Sequence, residues 1–148
     1  MALYHFSVRN VSRGKGQMVV ASAAYISGQR IFDSYYNKIH DYTSKSGVIF
    51  TEILTPEYVP ERLTDRETLW NEVEHVERNN KAQLAYSFDI ALQNELTLEE
   101  NIKLAKEFCQ EQFVARGMIV DLAVHEGKSD NEEEPDNPHF HVLVPIRP

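Results

Sequence analysis

One cysteine, Cys109, stands among 148 residues, which excludes an intrachain disulfide and a thiolate metal cluster. No apolar run approaches the ~20 residues that a bilayer span needs. The opening MALYHFSVRN lacks the basic-then-apolar order of a secretory signal. Six glycines and six prolines are too few for a collagenous or low-complexity chain. No internal repeat or linker divides the sequence, which therefore reads as one domain over residues 1–148 and as a cytoplasmic protein. With 42% hydrophobic residues, a domain this size buries roughly 70% of the surface its unfolded chain exposes, and it needs no covalent staple.

Positive charge is scarce as well. Fifteen Lys and Arg face 23 Asp and Glu, a net charge of −8, which by itself argues against a nucleic-acid partner. The distribution argues the other way. Residues 1–50 carry six bases against two acids, and the remainder nine against twenty-one. An anion-facing N-terminal surface on an acidic body gives such an asymmetry.

Periodicity predicts the elements. Tyr4, Phe6 and Val8 alternate with His5 and Ser7 as in a strand. The loop SRGKGQ follows, then an Ala-rich helix from Met18 to Arg30 with Tyr25 in its middle. Asp33 to Gly47 reads as a loop or short irregular strand, and Gly47 to Leu54 as a strand. Thr64-x-x-Glu67 and Thr97-x-x-Glu100 have capping-box spacing and open two further helices. The second of these carries Leu98, Ile102, Ala105, Phe108 and Phe113 along its stripe and stops at Gly117. Ala82 to Leu92 alternates as a strand, with Tyr86 assigned to the core. Met118–Glu126 and Pro138–Pro145 alternate likewise, separated by an acidic loop. Helices covering one face of a mostly antiparallel sheet, an α+β domain, fit this order.

Three histidines carry the chemical signal. His139 and His141 are two apart in a strand, so both project from one face, about 7 Å apart at the backbone. His125 ends the preceding strand on its polar phase, and pairing of the two strands brings three imidazoles together. Three neutral ligands leave positions open for a Lewis-acidic divalent metal. Asp89 or Asp121 lies on a facing phase, able to accept a hydrogen bond from a ligand's second ring nitrogen. A metal-free, half-exposed His-x-His pair is the alternative. His5, His40 and His75 have no such grouping and read as surface or packing residues.

Six stretches in order carry a family resemblance: YHFSVRNVSRGKGQ, ASAAYISGQRI, DYTSKSGV, DRETLWNEVEHVE, GMIVDLAVHEG and NPHFHVLVPIR. Together they resemble the MobA/MobL family of plasmid relaxases, within it the staphylococcal-type conjugative nicking enzymes. The resemblance implies a central antiparallel sheet like that of rolling-circle initiators. It implies a metal-dependent nickase, acting on single-stranded DNA at an origin of transfer and working alongside other mobilisation proteins. Tyr25 matches the nucleophile of the A-A-Y-x-S-G motif, and His125, His139 and His141 match the ligands of Mg²⁺ or Mn²⁺. Arg13 and Lys15 are the implied phosphate-holding residues; the basic N-terminal segment adds Arg30 as a DNA-binding residue, and Asp89, on its facing phase, is the residue supporting a ligand. Where the family carries Arg-Glu-x-Glu and a later Pro, this chain has Tyr86-Ser87-Phe88-Asp89 and Gln93. Full relaxase domains continue beyond the point where this chain stops, at Pro148. Two rival readings stay open: a relaxase-like module that binds DNA or metal without nicking, and a hydrolase that uses water and leaves Tyr25 structural.

Overall fold

Alternation of apolar and polar residues builds the centre of the molecule. The computed structural model describes residues 6–127 and 137–146. Five strands form one sheet: β1 (Phe6–Ser12), β4 (Val48–Leu54), β5 (Gln83–Ala91), β6 (Val120–His125) and β7 (His139–Pro145), in the spatial order β1-β5-β7-β6-β4. Every neighbouring pair is antiparallel, so the mostly antiparallel α+β architecture read from the sequence holds. Tyr4, His5 and the acidic stretch 128–136 lie outside the described residues.

The helices α1 (Val19–Ser27), α2 (Arg66–Val76) and α3 (Leu98–Gln112) occupy both faces of the sheet rather than one. Ile90, Leu122, Val124, Phe140 and Val142 on one strand phase pack with Ala105 and Cys109 of α3. The other phase supplies Val11, Ala85, Ala123 and Leu143, which meet Val20, Ala23 and Ala24 of α1 and Leu69 and Trp70 of α2. Small residues on this second phase let α1 lie close to the sheet. β6, the strand covered from both sides, is buried throughout. The Cys109 thiol is buried too, which pushes it up to about 12 and keeps it protonated. No helix among the described residues is long and apolar enough to cross a membrane.

Several local expectations are corrected. The Met18–Arg30 helix is shorter, because Gly28 closes it at φ +66°. A Cβ at Gly28 would come within 3.3 Å of Val48 Cγ2, so glycine also admits the neighbouring strand. Within the supposed loop, β2 (Arg30–Asp33) and β3 (Lys38–Asp41) form a separate antiparallel hairpin. α2 is capped by Asp65, which accepts from Thr68 N, not by Thr64. The Thr64 hydroxyl bonds Glu61 O in a preceding 3-10 turn, and Glu67 accepts from Phe32 N of the hairpin. The Thr97–Glu100 capping box is present as read. α3 buries Asn101, Ala105 and Cys109, whereas Leu98 is exposed. Tyr86 is exposed as well, because α3 does not reach the β1 side of the sheet.

Arg13 departs furthest from expectation. Its five N–H donors make five hydrogen bonds, to Glu74 Oε1 twice and to the carbonyls of Glu74, Glu77 and Asn79. Only 7% of its side chain is exposed, and none of that of Glu74. Arg13 therefore anchors α2 to β1 and has no donor to offer a phosphate. Arg13→Met strands a carboxylate in the interior, and we expect a stability loss of about 3–5 kcal/mol in urea unfolding. Unchanged stability with weakened DNA binding would restore Arg13 to the surface role. Asp121 is likewise occupied away from the histidines. It is fully buried and bonded by Arg66 Nε and Nη2 and by Trp70 Nε1.

Candidate metal and nucleophile site

On the α1/α2 face the apolar residues give way, toward one end of the sheet, to Ser87, Asp89, His125, His139 and His141. Sheet register assembles them. His125 sits opposite His139 in the β6–β7 pair, and His141 lies between Ala123 and Asp89 of its two neighbours. The three imidazole centroids are 4.5–5.1 Å apart, and one ligand nitrogen from each lies within 4.8 Å of the others.

Each ring is held through its other nitrogen. His125 Nε2 donates to Ile26 O at 2.8 Å, His139 Nδ1 to Asn137 O at 2.8 Å, and His141 Nδ1 to Asp89 Oδ1. That leaves Nδ1 of His125 and Nε2 of His139 and His141 as lone-pair donors, the arrangement expected around a bound metal. Burial pushes His125 down to about 4, against the raising effect of its bond to the Ile26 carbonyl. Burial also lowers His141, with Asp89 opposing. Both rings are thus neutral and ligand-ready at pH 7. Donor type, spacing and orientation fit a divalent cation with open positions. Asp89→Asn weakens the acceptor that orients His141, and we expect Mn²⁺ affinity to fall ~10–100-fold by calorimetry. Unchanged affinity would mean that something else sets that ring.

Tyr25 approaches from α1. It precedes Ile26, the residue whose carbonyl receives His125, so one turn of helix ties phenol and imidazoles together. Half of Tyr25 is exposed. Its ring stands edge-to-face on Tyr42 at 5.3 Å, and Lys45 Nζ lies 3.4 Å from its centroid. Tyr25, Tyr42, Arg9, Gln17, Ser87 and His141 line one cleft of about 290 Å³, and His141 also walls an adjoining hollow formed with Asp89, Asn137 and His139. Lys15 and Arg30 are exposed but do not line that cleft. Arg30 lies 3.9 Å from Asp41 on the hairpin.

Sequence reasoning passed over Arg9 and Lys45. Arg9, on β1, sits opposite Ser87 and bonds Asp89 Oδ2 at 3.1 Å with 71% of its side chain exposed. Its strand phase, shared with Ser7, was the available signal, legible once β1 is paired with β5. Lys45 had no periodic signal, because it reaches the site from a turn.

A family model described as the MobA/MobL family matches residues 17–148. The chain belongs to this family. Similarity to MobA/MobL relatives extends over nearly its whole length. It is 37% identical to the conjugal transfer protein TraA of Rhizobium radiobacter, over 100% of this chain and 14% of that one. It is 34% identical to a probable mobilization protein MobA of Bifidobacterium longum, over 99% of this chain and 25% of that one. A solved structure from work on vancomycin resistance transfer in Staphylococcus aureus is 40% identical, with a TM-score of 0.88, covering 99% of this chain and 72% of that one. The chain thus spans a minor part of these curated mobilisation relatives.

Proposed function

We propose that this MobA/MobL chain is a relaxase that nicks and reseals single-stranded DNA at an origin of transfer, with Tyr25 as nucleophile. Tyr25 and His141 lining one cleft is the observation that carries it. The phenol oxygen attacks the scissile phosphorus, an O–P bond forms to Tyr25, and the bond to the 3′-oxygen breaks. The phenol proton leaves to solvent, and the departing 3′-oxygen takes one up. The products are a 5′-phosphotyrosine and a free 3′-hydroxyl, one phosphoester exchanged for another, so the same groups run the step backwards. A divalent cation, Mg²⁺ or Mn²⁺, held by His125, His139 and His141 would polarise the phosphate and offset charge on the departing oxygen.

The chain's own groups prepare this step. α1 carries the phenol on a helix turn, so its position is set before substrate arrives. Asp89 and the carbonyls of Ile26 and Asn137 fix the ring orientations. Arg9, bonded to Asp89 among the described residues and 71% exposed, lines the cleft, and Lys15 and Arg30 add positive charge along the path of a strand.

Incubation with Mn²⁺ and single-stranded oligonucleotides, tiled across the replicon that carries the gene, tests this on a denaturing gel. We expect a covalent protein–DNA band that disappears with chelator. Binding without a covalent band would favour the non-nicking module. That reading draws support from Ser87, which faces the cleft where the family pattern has a carboxylate.

A further inference from the structure

Lys45 has an unusual station for a lysine. It belongs to the turn between β3 and β4, where Tyr42 N bonds Gln29 O and Lys45 N bonds Tyr42 O, at 3.1 and 3.0 Å. Asp41 Oδ1 stiffens the start of that turn by accepting from both Thr43 N and Thr43 Oγ1. The turn therefore delivers two side chains onto Tyr25 at once, the Tyr42 ring against its edge and the Lys45 ammonium over its face. Among the described residues no carboxylate pairs with Lys45.

We propose that Lys45 is a catalytic residue, whose ammonium offsets the negative charge that grows on Tyr25 Oη and on the phosphate oxygens during strand cleavage. This rests on the reading of Tyr25 as nucleophile. A neutral phenol attracts a cation only through its ring face. As the proton departs, negative charge develops on the phenol oxygen and passes to the phosphate oxygens as the O–P bond forms, so the attraction to that cation is greater in the transition state than in the ground state. Only interactions of that kind raise the rate of the chemical step. Lys45 takes up no proton in this role. The phenol proton goes to solvent as before, and the ammonium remains as counter-charge to the phosphotyrosine. Lys45 thus puts a cation against Tyr25, where Arg13 is spent on the interior.

Lys45→Met and Lys45→Arg test it, with single-turnover adduct formation and equilibrium oligonucleotide binding measured side by side in Mn²⁺. We expect Lys45→Met to slow adduct formation roughly 10–100-fold while changing affinity by less than about threefold, the loss of one phosphate contact at most. Lys45→Arg keeps the charge and recovers most of the rate. A purely structural role would not separate rate from affinity or be rescued by charge alone. Lys45→Met at the wild-type rate, or a rate loss matched by an equal affinity loss, overturns the proposal while leaving Tyr25 as nucleophile. Absence of any adduct in the unaltered protein overturns the nucleophile reading, and this proposal with it.

Discussion

Tyr25→Phe is expected to abolish the covalent protein–DNA adduct, a drop of at least about 10⁴-fold, while leaving oligonucleotide affinity and fold intact. The substitution removes one oxygen. That oxygen has no hydrogen bond among the described residues, the ring is half exposed, and its edge contact with Tyr42 and face contact with Lys45 survive in phenylalanine. Thermal unfolding should therefore move by no more than a surface substitution does, about 0.5 kcal/mol. Ser22, Tyr42 and Ser87 also line the cleft, and none of them stands at the tyrosine of the A-A-Y-x-S-G motif. Cleavage that survives Tyr25→Phe would make water the nucleophile and Tyr25 structural.

The second large effect is expected from removing His139 and His141 together. Two of three nitrogen donors go, and we expect Mn²⁺ affinity to fall by about 10³-fold or more, with adduct formation lost even at millimolar metal. The fold should tolerate the change. Both rings are only half-buried, and β7 is held through Phe140, Val142 and Val144 on its opposite phase. His125 is unsuited to the same test. It is 6% exposed, and its Nε2 satisfies the Ile26 carbonyl, so truncation opens a cavity and leaves that carbonyl unpaired. Retained metal affinity in the double variant would mean that the ion sits elsewhere.

What was legible in the sequence was what local periodicity controls. β5, β6 and β7 alternate over part of their length, and His139 and His141 share a phase by the two-residue repeat alone, so the imidazole cluster was readable without coordinates. The Thr97–Glu100 box was readable for the same reason, since its partners are three residues apart. The hairpin β2–β3 was not. Its strands have four residues each, and the inward positions Asp33 and His40 are a polar pair bonded at 3.0 Å, so a search for alternating apolar residues passes over it. The start of α2 was ambiguous because Thr64 and Asp65 are adjacent candidates with carboxylate or hydroxyl partners three residues on. Tertiary contact decided it, when the 3-10 turn engaged Thr64 and the hairpin engaged Glu67. Arg13 failed as a phosphate ligand because its partner, Glu74, is 61 residues away. A basic loop residue looks alike in sequence whether it meets solvent or a buried carboxylate. Arg9 and Lys45 were missed by the same logic in reverse, as ordinary surface bases, one of which strand pairing brings to the cleft and the other a turn lays over the Tyr25 ring.

Anomalous diffraction at the manganese edge, from crystals of this chain grown with Mn²⁺, tests the shared site most directly. The expected map has one strong peak at bonding distance from one nitrogen each of His125, His139 and His141, facing the cleft that Tyr25 lines. A peak held by surface carboxylates, or no peak at saturating Mn²⁺ with all three rings ordered, would contradict it.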